Sequence, residues 1–306
     1  MTTSKTILLA TDLSAPARHA VERAFDLAAS GGGELHIVNA MAFDILDASL
    51  RELLFGASAR VKTALLDDAR ERLSALADDA AINRGITAQA RVIEGKPLAV
   101  IAAEASALDA GLLVLGARGE SFLRHALLGS TAQRLLRKSV HRPVLVVKQP
   151  PRAAYRHVLI AVDFSPVSAN AVRTARRLAP HAGITLLHAF ELPYEGKLAF
   201  AGVDEQTIRQ YVTNGRESRR KQLHELAVAA GLSPSDYHAR VIHGDPSQQV
   251  IAMEQEVDAD LIIVGKHGTH AAEELLLGSV TKHVLAESQC DVLVIADPRP
   301  GESDLP

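Results

Sequence analysis

The sequence is poor in the residues from which several common kinds of site are built. Its 306 residues hold one cysteine, Cys290, which excludes an internal disulfide framework and any multi-cysteine zinc or iron–sulfur centre. Tryptophan is absent and aromatic residues make up 4%, too few for base-stacking platforms or aromatic carbohydrate clefts. No apolar run approaches the ~20 residues that span a bilayer, and the first residues lead into a short strand-like run rather than a secretory signal. A cytoplasmic chain with no membrane association is expected. Excess positive charge is missing too: Lys+Arg 33 against Asp+Glu 36 leaves a net charge of -3, with no broad basic field to hold a nucleic acid. What remains is an ordinary globular composition, 47% hydrophobic and 23% charged, at a length that fits about two domains.

An internal repeat organises the chain. Gly116-Ala117-Arg118-Gly119, nine residues and then Gly129-Ser130 recurs 149 residues later as Gly265-Lys266-His267-Gly268, nine residues and Gly278-Ser279. At the same offset of 149, Val92-Ile93-Glu94-Gly95-Lys96-Pro97 matches Val241-Ile242-His243-Gly244-Asp245-Pro246, while Asp12-Leu13-Ser14 matches Asp163-Phe164-Ser165 at 151. A duplication with small loop differences explains both. The boundary falls at Pro150-Pro151, where two prolines end an apolar run, giving domains 1–150 and 151–306.

Within the first repeat, short apolar runs at 6–10, 35–40, 88–93, 112–115 and 144–147 alternate with segments of helical period such as 16–29. The second repeat offers runs at 158–162, 184–189, 239–242, 261–264 and 292–295. Runs 112–115 and 261–264 are apolar without alternation, as in parallel strands covered by helices on both faces. Each repeat is therefore expected to be an open, doubly wound α/β sheet. Pro16 and Pro166 suit the first turn of a helix capped by Ser14 or Ser165.

In such sheets ligands bind beyond the carboxyl ends of the strands, where strand order reverses. With order 3-2-1-4-5, Asp12 and Asp163 after the first strands would face Gly116 and Gly265 after the fourth. Gly116 and Gly119, like Gly265 and Gly268, let the backbone turn and approach a ligand closely. Gly129-Ser130-Thr131 and Gly278-Ser279-Val280 then open helices whose free N–H groups attract phosphate, with the serine hydroxyls as further donors. Arg118 and His267 lie between the glycines and complete the candidate set. Asp12 or Asp163 is the natural acceptor for ribose hydroxyls.

This combination of Asp after strand 1 and Gly-x2-Gly-x9-Gly-Ser after strand 4 resembles the universal stress protein family in its tandem, ATP-binding form. The resemblance implies a five-stranded parallel sheet in each domain, two domains paired about a pseudo-twofold axis, and ATP or a related adenine nucleotide, ADP or AMP, in each cleft. Asp12 and Asp163 would contact the nucleoside, the glycines and serines would wrap the phosphates, and Asn39 or Ala189, ending strand 2, would meet adenine through its backbone. Two departures from the family pattern bear on packing: Asp291 stands where Pro143 precedes the last strand, and Gly111 replaces the acid that Asp260 retains.

Competing motifs are absent. No Gly-x4-Gly-Lys-Ser/Thr run occurs, Thr11-Asp12-Leu13-Ser14-Ala15 lacks the Rossmann glycines, and neither a Gly-x-Ser-x-Gly elbow nor His-Glu-x2-His is present. Ser30-Gly31-Gly32-Gly33 lies at the wrong end of the sheet for a ligand and reads as a helix-ending turn. Cys290 reads as an inert buried thiol, and the aromatics of 41–60 and 191–213, such as Phe43, Phe190 and Tyr194, as packing groups alongside Leu46. The expected role is a nucleotide-dependent sensor or regulator of the stress response. Mg²⁺ would bridge the phosphates, and the protein partner is unidentified. The alternatives are a slow ATPase or adenylyl-transferring enzyme, with self-phosphorylation on Ser130 or Ser279, and a nucleotide-free scaffold. The loops supply phosphate donors but no evident general base.

Two outcomes follow from the repeat. Each half expressed alone should self-associate through its last strand, 144–147 or 292–295, and the same measurement on the full chain tests for a further homodimer. Sedimentation showing each half to be a stable monomer at high concentration would overturn the pairing. The sites should also differ, because Arg118, Arg124 and His125 face one acid, Glu120, in the first loop, whereas Lys266, His267 and His270 face Glu273 and Glu274 in the second. Arginine offers phosphate a planar fork that lysine lacks, so the first site should hold triphosphate about tenfold tighter after solvent screening. Protonation of His267 and His270 should narrow the gap below about pH 6.5. Site-resolved ATP titration checks this; equal affinities at about pH 8 would remove charge as the discriminator.

Overall fold

A computed structural model of the chain describes residues 5–43, 58–117, 128–137, 142–151, 153–192, 197, 200–268 and 277–296. The chain divides into two compact units, Met1–Arg152 and Ala153–Pro306. In the first, β1 (Ile7–Ala10), α1 (Arg18–Gly31), β2 (Leu35–Met41), α2 (Ser58–Asp78), β3 (Gln89–Glu94), α3 (Pro97–Ala107), β4 (Leu112–Gly116), α4 (Ser130–Arg137) and β5 (Val144–Val147) follow in order. The second runs β6 (His157–Ala161), α5 (Pro166–Leu178), β7 (Gly183–Phe190), α6 (Glu205–Ala229), β8 (Tyr237–His243), α7 (Pro246–Glu256), β9 (Leu261–Gly265), α8 (Ser279–Glu287) and β10 (Asp291–Ile295). Strand order is β3-β2-β1-β4-β5 in the first unit and β8-β7-β6-β9-β10 in the second. The strand pairs in each unit are parallel. Both sheets are open.

The central strands explain the apolar runs. Leu113, Val114, Leu145 and Val146 in one unit, and Leu159, Ile160, Ile262 and Ile263 in the other, are wholly buried because helices cover both faces. On α1, Ala20, Val21, Ala24, Phe25 and Ala28 recur at helical spacing and form its buried face. The helix ends as its glycines foretell: Gly32 is left-handed at φ 61°, and its N–H bonds to Ala28 O. A Cβ on Gly33 would collide with Lys5 O, so the chain passes β1 closely there.

The repeat extends to unusual backbone. Gly95 and Gly244 take φ 149° and 140°, a region where glycine is the only comfortable residue, just before Pro97 and Pro246 start α3 and α7. Their N–H groups bond to the ends of β2 and β7, at Met41 O and Phe190 O. Asp109 and Asp258, entering β4 and β9, are both left-handed at φ 44° and 49°. The two departures noted at these strand entrances find different bonds. Asp291 accepts a hydrogen bond from Tyr155 Oη at 2.7 Å, and Asp260 accepts from Arg156 N and His157 N, while Gly111 N donates to Thr6 O.

Helix entry corrects one expectation. Ser165 is the N-cap residue of α5 with Pro166 following, but its hydroxyl makes no cap bond and goes to Asp163 instead. In the first unit α1 starts at Arg18, after a turn in which Ala17 N meets both Ser14 O and Ser14 Oγ, so Pro16 precedes the helix. The acid before each serine draws the chain into a tighter turn than a simple cap would make.

Candidate functional site

Strand order reverses between β6 and β9, and the carboxyl ends of these neighbours open onto a cavity of about 170 Å³. Asp163, Ala189, Gly265, His267, Gly268, Gly278, Ser279 and Val280 line it together. Pro246, known from the sequence only as part of the repeat, supplies further wall together with Val250 and Thr281, which nothing in the sequence pattern singled out. In the first unit β1 and β4 are likewise neighbours, with Ala10 opposite Leu115, so Asp12 and Gly116 stand at adjoining strand ends. Gly129, Ser130 and Thr131 open α4 there. Arg118 and Gly119 lie outside the described residues, as do Glu120, Arg124, His125, His270, Glu273, Glu274, Leu46 and Tyr194.

The acid is held by its own turn. Asp163 Oδ1 accepts from Ser165 N at 3.0 Å, Ser165 Oγ at 2.6 Å and Ser168 Oγ at 2.8 Å. That fixes the carboxylate and leaves Oδ2 directed at the glycine loop, 3.7 Å from where a Cβ on Gly268 would stand. Phe164 reaches this turn only by adopting φ 63°, and Leu13 does the same at φ 62° in the first unit, where Asp12 Oδ1 accepts from Ser14 N at 3.0 Å. A left-handed non-glycine residue costs about 1–3 kcal/mol and persists where its surroundings demand it. Both units retain it beside the crevice. Ser168 was missed from sequence, although the spacing Asp163-x4-Ser168 offered a signal.

The glycine loop is closed identically in both units. Lys266 N donates to Ile295 O at 2.7 Å and Gly278 N returns to Lys266 O at 2.9 Å; Ala117 N donates to Val147 O and Gly129 N to Ala117 O, each at 2.8 Å. Thr281 Oγ1 adds a bond to Gly265 O at 2.6 Å. Gly265, Gly268 and Gly278 are not left-handed, and space is tight only at the first of them: a Cβ on Gly265 would stand 3.1 Å from His267 O, whereas one on Gly268 or Gly278 would make ordinary contacts. Gly278, the N-cap of α8, has no side chain to satisfy the first-turn amides of Ser279, Val280 and Thr281, which no helical carbonyl reaches. That end of the crevice offers donors and a positive helix terminus to an anion. Lys266 is buried beneath the loop and does not line the cavity.

Register revises one pairing of residues. Leu35 lies opposite Ile7 and Ile184 opposite Val158, which makes His188, not Ala189, the counterpart of Asn39. The two do the same work with different chemistry: Asn39 Nδ2 donates to Thr11 O at 2.9 Å, and His188 Nδ1 donates to Val162 O at 2.7 Å. Each ties the second strand to the residue before the acid. His188 is buried between Phe164 and Phe190, with ring centroids 4.3 and 6.2 Å away, and Phe190 itself lies under Arg219. Phe190 is thus a packing residue, as expected, and Phe43 meets Lys62 Nζ at 5.4 Å. Cys290 is buried beside Asp291 O.

Burial holds the His188 pKa below the ordinary 6.5; Arg219 adds to this, and the Val162 carbonyl and Asp163 oppose it. Below about pH 6.5 the unfolded chain takes a proton that folded His188 refuses, so this residue removes stability as pH falls and contributes no such loss above that range. Urea unfolding of the second unit should show this slope between about pH 7.5 and 5.5, and His188→Asn, which copies Asn39, should flatten it. An unchanged slope in the variant would assign the effect to other groups.

An open parallel sheet with helices on both faces and a crevice at its switch point is a doubly wound α/β domain. The sequence profile of the Universal stress protein family matches residues 3–148 and 154–296, and the chain belongs to that family in tandem form. A universal stress protein of Mycobacterium tuberculosis is 30% identical over 193 residues, 61% of this chain and 59% of the relative. The match therefore spans about 59% of that relative's length. Universal stress protein A homolog 1 of Coxiella burnetii is 31% identical over 144 residues, 46% of this chain and 96% of that protein. Among solved structures, a universal stress protein from Archaeoglobus fulgidus shares the fold at TM-score 0.65 and 21% identity, covering 96% of this chain and 98% of that one. Among the described residues no helix is long and apolar enough to cross a membrane.

Proposed function

We propose that each unit binds an adenine nucleotide in the crevice at its switch point and that the chain acts in the cytoplasm as a nucleotide-dependent regulator. The observation that carries this reading is the pairing, across one cavity of about 170 Å³, of a fixed carboxylate with an open helix N-terminus. Asp163 Oδ2 suits ribose hydroxyls as an acceptor. The first-turn amides and hydroxyl of Ser279 suit phosphate oxygens. Gly268 keeps the space between them clear. Among the described residues no group of three His, Cys, Asp or Glu side chains is placed to hold a metal. Mg²⁺ would bridge the phosphates, as it does for nucleotides in general.

Mass spectrometry of small molecules released from freshly purified, denatured protein should find an adenine nucleotide. Calorimetry after its removal should find two sites per chain. A stoichiometry of zero would sink the reading in favour of a nucleotide-free scaffold. Multiple-turnover phosphate or pyrophosphate release, abolished by Asp12→Ala with Asp163→Ala, would replace a regulator with an enzyme.

A further inference from the structure

The units differ at a place where register makes their residues equivalent. Gln89 lies opposite His36 and His238 opposite Thr185, so Ala88 holds in the first unit the position that Tyr237 holds in the second. On the helices above, Leu73-Ser74-Ala75-Leu76-Ala77-Asp78 of α2 matches Leu223-His224-Glu225-Leu226-Ala227-Val228 of α6, with both leucines and both alanines of the pairs 73/223 and 77/227 buried. In the second unit Tyr237 is 7% exposed and its Oη meets His224 Nδ1 at 2.5 Å. In the first, alanine and serine stand in place of tyrosine and histidine.

The exchange leaves space. A cavity of about 230 Å³ lies between α2 and β3, walled by Leu73, Ala77, Ala88 and Val92, with Ser74 and Asp78 among its polar lining. The space is a groove, closed on its inner side by the buried Leu73 and Ala77 and open to solvent along Arg70, Ser74, Asp78 and Ala90, which are exposed. Ser74 Oγ donates to Asp78 Oδ2 at 3.2 Å, which presents the Asp78 carboxylate as an acceptor at the rim. The space flanks the amino half of β3, whereas the crevice of this unit opens at the carboxyl ends of β1 and β4. The two are separate sites, and one does not depend on the other.

We infer that this slot binds a small phenol, its ring against Leu73, Ala77, Ala88 and Val92 and its hydroxyl donated to Asp78. The second unit supplies the same group covalently, as Tyr237, at the equivalent position. A phenol is neutral at ordinary pH, because its pKa lies near 10, and its hydroxyl remains a donor. The ligand class is thus one ring with one hydroxyl.

The test is methyl-resolved NMR of the full chain titrated with p-cresol. Saturable shifts are expected at Leu73, Ala77, Ala88 and Val92 and none at Leu223 or Ala227. Toluene, which lacks the hydroxyl, should bind about tenfold weaker. Ala88→Tyr should abolish the cresol shifts by restoring the ring found in the other unit, and should raise the melting temperature; if that chain does not fold, Ala88→Leu fills the same space. No shift at these methyls in the unmodified chain overturns the site, whatever the variants do. Equal binding of toluene overturns the phenol assignment, and undiminished cresol shifts in a folded filled variant overturn the location.

Discussion

Gly268→Leu should remove nucleotide from the second unit and leave its fold intact. The two effects separate because of where the glycine stands. Gly268 is exposed and not left-handed, and a Cβ added to it meets only Asp163 Oδ2, at an ordinary contact distance of 3.7 Å. The backbone therefore tolerates a side chain, and stability should change by no more than about 0.5 kcal/mol. Leucine at this point stands between the carboxylate and the helix N-terminus, in the space proposed for ribose and phosphate. Calorimetry should then report one site per chain in place of two, with affinity at the altered site reduced at least about 100-fold, or ~2.8 kcal/mol. The matching change at Gly119 should silence the other site. Two sites of unaltered affinity in Gly268→Leu would exclude this crevice from nucleotide binding.

Glu254→Ala is expected to cause the largest loss of stability. Glu254 is 6% exposed on α7, and its Oε1 accepts from Gln289 N and Cys290 N, each at 2.8 Å. One carboxylate oxygen thus anchors the turn that leads into β10, the last strand of the unit. Alanine deletes both bonds and leaves the Cys290 amide buried without this acceptor. Hydrogen bonds to a charged group contribute about 1.5–3 kcal/mol each, so a loss of ~3 kcal/mol is a moderate expectation for the pair. For a unit of this size that corresponds to roughly 6–12 °C in melting temperature. Glu254→Gln keeps an acceptor oxygen and should lose at most about 1 kcal/mol. Calorimetric melting of the three chains decides it; an alanine variant within about 0.5 kcal/mol of the parent would mean that water or a shifted turn replaces the carboxylate. The first unit has Ala105 at the equivalent position, buried, and closes the corresponding corner with Arg142, which bonds Asp109 at 2.9 Å and the Ala110 carbonyl.

The amino-acid sequence by itself determined the architecture. Glycine spacings repeated at an offset of 149 residues, with apolar runs too uniform to alternate, specify two parallel α/β units whose acids and glycine loops fall at strand ends. Such features are local: they follow from backbone period, turn chemistry and the side-chain burial that a doubly covered strand requires. The partners of individual polar groups are not local, and only the tertiary structure decided them. Nothing near Asn39 or His188 in the chain says that each bonds to the carbonyl before the acid; strand register does. Nothing in α7 marks Glu254 as buried alongside Val250 and Met253, nor α2 as the wall of a slot that the first unit leaves where the second has Tyr237. Periodicity reports which face of an element is buried, whereas the atom met on that face belongs to another element, brought there by the packing of the whole sheet.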